Sequence, residues 1–159
     1  MKFTIIAVGK IKEKYLIQGI KEYQKRIIPY AKLEIKEVKD TPLPSKLHTE
    51  EVNKVKREEE ERIRTYISSK DYLIILDPNG NQLTSKDFAK KLDKLSLHGT
   101  SNITLVIGGT LGLSEKLKQE ADLLLSFSKF TFPHQLMRLI LVEQIYRALK
   151  INRNEPYHY

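Results

Sequence analysis

The stretch Ile107-Gly108-Gly109-Thr110-Leu111-Gly112 places three glycines directly behind Ile103–Ile107 (ITLVI), which reads as a buried strand. Glycine lets a chain turn sharply, and it lets a ligand reach backbone N–H and C=O groups that a side chain would screen. The spacing is not that of a Walker loop, because no Gly-Lys-Ser/Thr follows. It is not the dinucleotide fingerprint either, since the order is G-G-x-x-G and no acid stands about 20 residues further on. A plain strand-to-helix turn and a backbone-lined ligand site both fit this stretch.

A second constellation runs Ser126-Phe127-Ser128-Lys129-Phe130-Thr131-Phe132-Pro133-His134. Two serines and a threonine ahead of a helix-opening proline supply hydroxyls and free backbone amides. A loop ending at a helix N-terminus favours anionic or electron-rich groups, although capping of the helix by Thr131 accounts for the same residues. The helix that follows carries a third set. Arg138, Glu143, Gln144 and Arg147 stand among Leu136, Met137, Leu139, Ile140, Leu141, Val142 and Ile145. A helix apolar around most of its circumference packs against two surfaces, which on a last helix suggests a subunit interface. Charges there must be paired or used. Glu143 and Arg147 pair at i,i+4. Arg138 lies one turn from His134 on another face, with a catalytic or RNA-phosphate role and an interface ion pair as its two readings.

These groups need elements to hold them. Lys2–Val8 reads as a strand, residues 11–28 as a helix ending before Pro29, and Lys32–Val38 as an alternating strand. Thr49 is placed to cap a charged helix reaching Ile67, whose run of glutamates at 58–61 reads as a solvated face. Tyr72–Leu76 is continuously apolar and is ended by Asp77-Pro78-Asn79-Gly80, as in a strand buried on both faces. Thr84 or Ser85 caps a helix to Leu97, Ser114–Gln119 is a short helix, Leu123–Phe127 a strand, and Pro133–Leu149 the final helix. Strands alternating with helices predict an α/β domain with a largely parallel sheet and helices on both faces, one domain over 1–159. Ligands in such sheets bind beyond the carboxyl ends of the strands, here after Leu76, Ile107 and Phe127.

Composition bounds the function. The chain has no cysteine, and its four histidines, His48, His98, His134 and His158, show no ligand-pair spacing, so no metal is expected. The opening apolar run is too short for a signal-peptide core, and no stretch approaches the ~20 apolar residues of a membrane span. A cytoplasmic protein is expected. Net charge is +8. Residues 1–39 hold ten Lys/Arg against four Glu, a surplus of six, while residues 40–112 balance and 113–159 add two. A basic chain of this kind favours a polyanion such as RNA, with a merely lysine-rich surface as the alternative.

Taken together, LDPNG at 76–80, VIGGTLGL at 106–113, LSFSKFTFPHQLMRLILVEQIYRALKI at 125–151 and PYHY at 156–159 strongly resemble the RlmH-type ribosomal large subunit pseudouridine N3-methyltransferases of the SPOUT superfamily. MKFTIIAVGKIKEKY and KRIIPY at 25–30 are similar to that family too. The resemblance implies a C-terminal trefoil knot, a homodimer with sites near its interface, and S-adenosylmethionine as cofactor. It implies a pseudouridine in the helix 69 loop of 23S rRNA, methylated at N3 in the assembled ribosome. It implies donor contacts from Leu76, Gly108, Phe127, Ser128, Lys129, Phe130, Thr131 and Phe132. The chain departs from its relatives in Asp-Pro-Asn-Gly after Leu76 and in ending on Tyr159 rather than a basic residue.

A methyl transfer of this kind asks the protein to align the donor and to manage the ring proton at N3. Arg138 is the first expectation for stabilising substrate charge. His134, Glu143 and His158 are expected as proton acceptors, with His158 on a tail able to close over the site or to pack on a partner. A basic RNA-binding factor without chemistry explains the charge but not the glycine turn together with the hydroxyl-rich loop. A tRNA ribose methylase on the same fold is the further alternative.

Overall fold

The computed structural model describes residues 1–157 and contains ten elements in strict alternation. They are β1 (Lys2–Val8), α1 (Lys14–Ile27), β2 (Lys32–Val38), α2 (Thr49–Arg64), β3 (Tyr72–Gln82), α3 (Ser85–Leu97), β4 (Asn102–Ile107), α4 (Glu115–Gln119), β5 (Leu123–Ser126) and α5 (His134–Asn152). The strands form one sheet in the order β2-β1-β4-β3-β5, and every pairing is parallel. Parallel strands joined through helices bury both faces of the sheet. That is why Ile74–Ile75 and Ile103–Ile107 are almost fully buried without alternation, all apolar but Thr104.

On one face, Phe3, Ile5, Ile103, Leu105 and Leu125 pack against Ile20 and Ile27 of α1, Phe88 and Leu92 of α3, and Leu141, Val142 and Ile145 of α5. On the other, Ile6, Val8, Ile75 and Val106 pack against Ile63 of α2, Leu117 of α4 and Leu113 just before that helix. Helices therefore cover both faces, as the alternation predicts. α5 lies between α1 and α3 and touches β4, with Leu141, Val142 and Ile145 fully buried and Leu136, Met137 and Ile140 half-buried.

Several boundaries differ from the sequence expectation. β3 does not stop at Leu76. Its register against β5 shifts between Leu76 and Asn81, and pairing then continues to Gln82. The excursion accommodates Pro78, which cannot donate to a ladder. Gly80 closes it against the backbone of Leu124, where an added Cβ would stand 2.6 Å from the carbonyl carbon. The N-cap of α2 is His48 rather than Thr49, with the His48 N–H donating to Glu51 Oε2 at 3.4 Å. The N-cap of α5 is Pro133, and Thr131 does not cap it. The largest difference is the glutamate run, which is not a uniformly solvated face. Glu59 and Glu60 are 3% and 7% exposed. Glu60 accepts from Arg64 Nε at 2.7 Å and from the Ser114 hydroxyl. Arg64 also grips Glu120 at 2.7 and 2.9 Å, tying α2 to α4.

Arg138 is a brace between the last helix and the first two strands. Its guanidinium is 3% exposed, donates to Glu37 Oε2 at 2.6 Å and to the Gly9 carbonyl at 3.0 Å. Glu37 Oε2 also accepts the Ile11 N–H at 3.1 Å, so one carboxylate fixes the chain leaving β1. Arg138→Ala should remove about 2 kcal/mol of unfolding free energy, since it deletes a charge-assisted hydrogen bond to Glu37 and leaves the Gly9 carbonyl unpaired. Urea unfolding followed by circular dichroism measures this, and a loss under about 1 kcal/mol would contradict the brace.

Candidate active site

The carboxyl ends of β3, β4 and β5 open on one side of the sheet, and the turn after β4 shapes what lies there. Gly112 N–H donates back to Gly109 O at 3.0 Å, and Gly112 takes φ +77°, a region open to glycine. The turn folds Leu113 back under Gly108, where a Cβ would lie 2.8 Å from Leu113 Cγ. At Gly109 a Cβ would lie 2.8 Å from Glu59 Oε2 and 3.1 Å from Val8 Cγ1. Neither position has room for a side chain.

Two cavities meet at this turn. The first, about 330 Å³, is lined by Leu76, Asp77 and Pro78 after β3, by 107–113, by Leu125–Ser128 and Phe130–Phe132, and by His134 and Met137 of α5. Its size falls within the ~300–1,000 Å³ of small-molecule sites. The second, about 750 Å³, is lined by Val8–Lys10, Lys12, Glu37–Leu43, Val55 and Glu59. Gly109, Thr110, Leu111 and His134 line both.

The hydroxyl-rich loop is locally ordered. Ser126 Oγ donates to Ser128 O at 3.1 Å, and Phe130 N–H donates to Ser128 Oγ at 3.0 Å. Leu76, Gly108, Phe127, Ser128, Phe130, Thr131 and Phe132 line the first cavity together, whereas Lys129 is exposed and is not among its walls. Asp77 and His134 are the only titratable side chains in that lining, and Asp77 Oδ2 is held by Lys118 Nζ at 3.1 Å. No lysine or arginine faces it, so nothing there would neutralise a phosphate-bearing cofactor. Aromatic and aliphatic walls, a glycine cradle and free backbone groups instead fit an uncharged heteroaromatic ring joined to a compact cation.

The proposed acid–base residues separate in space. His134 lies at the junction of the cavities. Partial burial pushes its pKa below the usual histidine value by desolvation. Arg138 is committed to Glu37 and Gly9 and lines neither cavity. Glu143 accepts from Arg147 Nε at 2.9 Å, Gln144 Nε2 at 2.7 Å and Tyr157 OH at 3.1 Å, away from both cavities. Tyr157 stacks edge-on with Tyr146 of its own chain at 4.8 Å. His158 lies outside the described residues. Among the described residues no group of three or more acids and histidines could hold a metal, and no helix is long and apolar enough to cross a membrane.

Glu59 is the residue that the sequence reading passed over. Its Oε1 accepts the Thr41 N–H at 3.0 Å, while its buried Oε2 has no partner. Desolvation raises its pKa above the ordinary carboxylate value. The signal was available: Val55, Glu59 and Ile63 are spaced i,i+4 along α2, so Glu59 falls on that helix's buried stripe.

A parallel five-stranded sheet with a glycine turn and a cation-free cavity at its carboxyl edge defines a small-molecule-dependent enzyme of the α/β class. A family model described as "Predicted SPOUT methyltransferase" matches residues 1–158, and the chain belongs to that family. Its members take their methyl group from S-adenosylmethionine. Among curated relatives, the chain is 64% identical to "Ribosomal RNA large subunit methyltransferase H" of Natranaerobius thermophilus over the whole of both chains. It is 51% and 54% identical to proteins of the same description from Enterococcus faecalis and an Exiguobacterium species, over 99% of each. Among solved structures, it resembles the tRNA (m1G37) methyltransferase of Aquifex aeolicus, with TM-score 0.56 and 18% identity over 100% of this chain and 75% of the other. A probable methylase family protein from Haemophilus influenzae aligns with TM-score 0.51 and 11% identity, over 99% and 70%. These two likenesses speak to the fold.

Gly108→Val should abolish donor binding, because its side chain would displace Leu113 and close the cradle. Calorimetric titration with S-adenosylmethionine would detect this, and wild-type affinity would refute the assignment. Glu59→Gln should stabilise the protein at neutral pH. A carboxyl whose folded pKa is raised costs nothing below its unfolded value near 4.5, and it costs progressively more as pH rises from there through the folded value. The variant should therefore melt above wild type at pH 7.5 and together with it at pH 4, as calorimetric scans at the two pH values would record.

Proposed function

We propose that this protein methylates N3 of a pseudouridine in the helix 69 loop of 23S rRNA within the assembled ribosome, using S-adenosylmethionine. The observation that carries this reading is the junction of the two cavities at Gly109–Leu111 and His134. One cavity suits a small cationic donor. The other is wider and has Lys10, Lys12 and Lys39 exposed around its mouth, as a substrate with a phosphate backbone requires. Relatives at 64%, 54% and 51% identity over essentially full length carry the ribosomal large subunit description.

In this reading the donor supplies an electrophilic methyl group when bound. Gly108 and the backbone of 127–132 hold it, Leu76 packs on it, and Phe127 and Phe132 help to exclude water. The fixed walls align the methyl with the ring nitrogen, which is where most of the rate arises in such a transfer. His134, shared by both cavities, takes the N3 proton. Arg138 acts behind the site by fixing the Gly9–Lys12 backbone. We assign the donor-binding C-terminal segment to a trefoil knot and the working unit to a homodimer, in keeping with the half-buried Leu136, Met137 and Ile140 at the start of α5. The enzyme would work in the cytoplasm, where ribosomes are.

The test is methyl incorporation into ribosomes from a host lacking the enzyme, with mass spectrometry of 23S rRNA fragments. A single added methyl on the loop pseudouridine is expected, and no incorporation would refute the reading. Wild-type turnover should fall as pH drops through the lowered pKa of His134, below about 6.5. His134→Gln should lower turnover on the order of 100-fold and abolish that acid limb. A variant retaining the limb would remove His134 from the proton transfer.

A further inference from the structure

Glu59 has no part in donor binding or in the proton transfer assigned above, yet its position is unusual. It projects from α2 into the wall of the second cavity, 97% removed from solvent. One oxygen is satisfied by the Thr41 backbone and the other is not satisfied by any described group. A buried acceptor left unpaired is costly, and native structures rarely keep one without a use. No charged neighbour among the described residues bonds to its free oxygen, although Arg62 favours its ionisation through space. Arg62 spends its guanidinium on Lys39 O and Thr41 Oγ1, at 2.9 and 2.8 Å. Asp40 and Glu58 are acids that disfavour its ionisation further.

The free oxygen abuts Gly109, the residue whose other side belongs to the donor cavity. A base presented to the donor across Gly109 would have its neighbouring edge against Glu59. A lone carboxylate oxygen there calls for an N–H donor. Pseudouridine is joined to its ribose through carbon, so both ring nitrogens carry hydrogen. With N3 turned to the methyl group, N1–H is left over. Uridine has no such hydrogen, because its N1 is bonded to the sugar.

We infer that Glu59 is a specificity-determining residue: its unpaired oxygen accepts the N1–H of the target base and so selects pseudouridine over uridine. This rests on the ribosomal reading above and adds to it the group that recognises the modified base. The absence of a side chain at Gly109 is then a requirement of recognition as well as of the turn, since a Cβ there would push the carboxylate away.

The experiment compares ribosomes carrying pseudouridine at the target with ribosomes from a host lacking the corresponding pseudouridine synthase, which carry uridine. Wild type should prefer the first in kcat/KM. Glu59→Gln should lose on the order of 10- to 100-fold on pseudouridine, the worth of one hydrogen bond to a charged group. It should change little on uridine, so the preference collapses, while affinity for S-adenosylmethionine stays at the wild-type value. Should Glu59→Gln not fold, Glu59→Asp, which draws the charge back by one methylene, is read in the same way. A variant with an unchanged preference overturns this inference and leaves the ribosomal reading standing, as does a wild type that treats both substrates alike. A wild type that methylates neither overturns both.

Discussion

The site depends on a stretch of backbone that tolerates no side chain. At Gly108 and Gly109 the chain leaves β4 with Leu113 packed on one side and Glu59 and Val8 on the other. Gly109 lines both cavities, together with Thr110, Leu111 and His134. A side chain at Gly109 would press on Glu59 and Val8, and glycine leaves that space open where the two cavities meet. The parallel sheet sets this turn at the right place. β4 lies between β1 and β3, so its carboxyl end opens onto the loops that follow both neighbours.

The elements behind the turn hold it rigid through buried polar contacts. α2 contributes Glu59 and Glu60 from consecutive positions, one facing Gly109 and one clamped by Arg64 and Ser114. α5 contributes Arg138, which reaches past its own helix to Glu37 and Gly9. Apart from the Arg64–Glu60 pair within α2, each contact joins segments far apart in sequence. Buried charges of this sort add little net stability, because desolvation offsets their attraction. What they supply is a fixed geometry for the loop after β1 and the turn after β4, the sort of preorganised support that a transfer reaction needs.

Much of this was legible in the sequence, for identifiable reasons. Near-continuous apolarity in β3 and β4 fixed their burial, and their alternation with helices fixed the layering. The glycine turn and the 126–134 loop stood out because their residue types are unusual in regular elements. Arg138 was legible as a buried charge that had to be paired or used. Its partner was not, since Glu37 lies 101 positions away and no local pattern links them. β3 was read too short because Pro78 normally ends a strand, and the bulge that lets pairing resume is a tertiary event. The glutamates at 58–61 were read as one solvated face because charge runs usually are. The helical period assigns them to different faces, and that finer signal puts Glu59 beside Val55 and Ile63.

The distribution of charge completes the physical case for two ligands of opposite kind. The first 39 residues hold six of the eight net positive charges, and three of those lysines, Lys10, Lys12 and Lys39, line the outer cavity. The inner cavity has none. A cation inside it would repel a sulfonium at short range and in a poorly screened space, where unit charges act most strongly. At the outer mouth the same cations meet solvent, attract a polyanion over roughly a Debye length, and lose that attraction as salt rises. Placing the cations outside and the apolar walls inside therefore lets one small domain draw in RNA without expelling its own methyl donor.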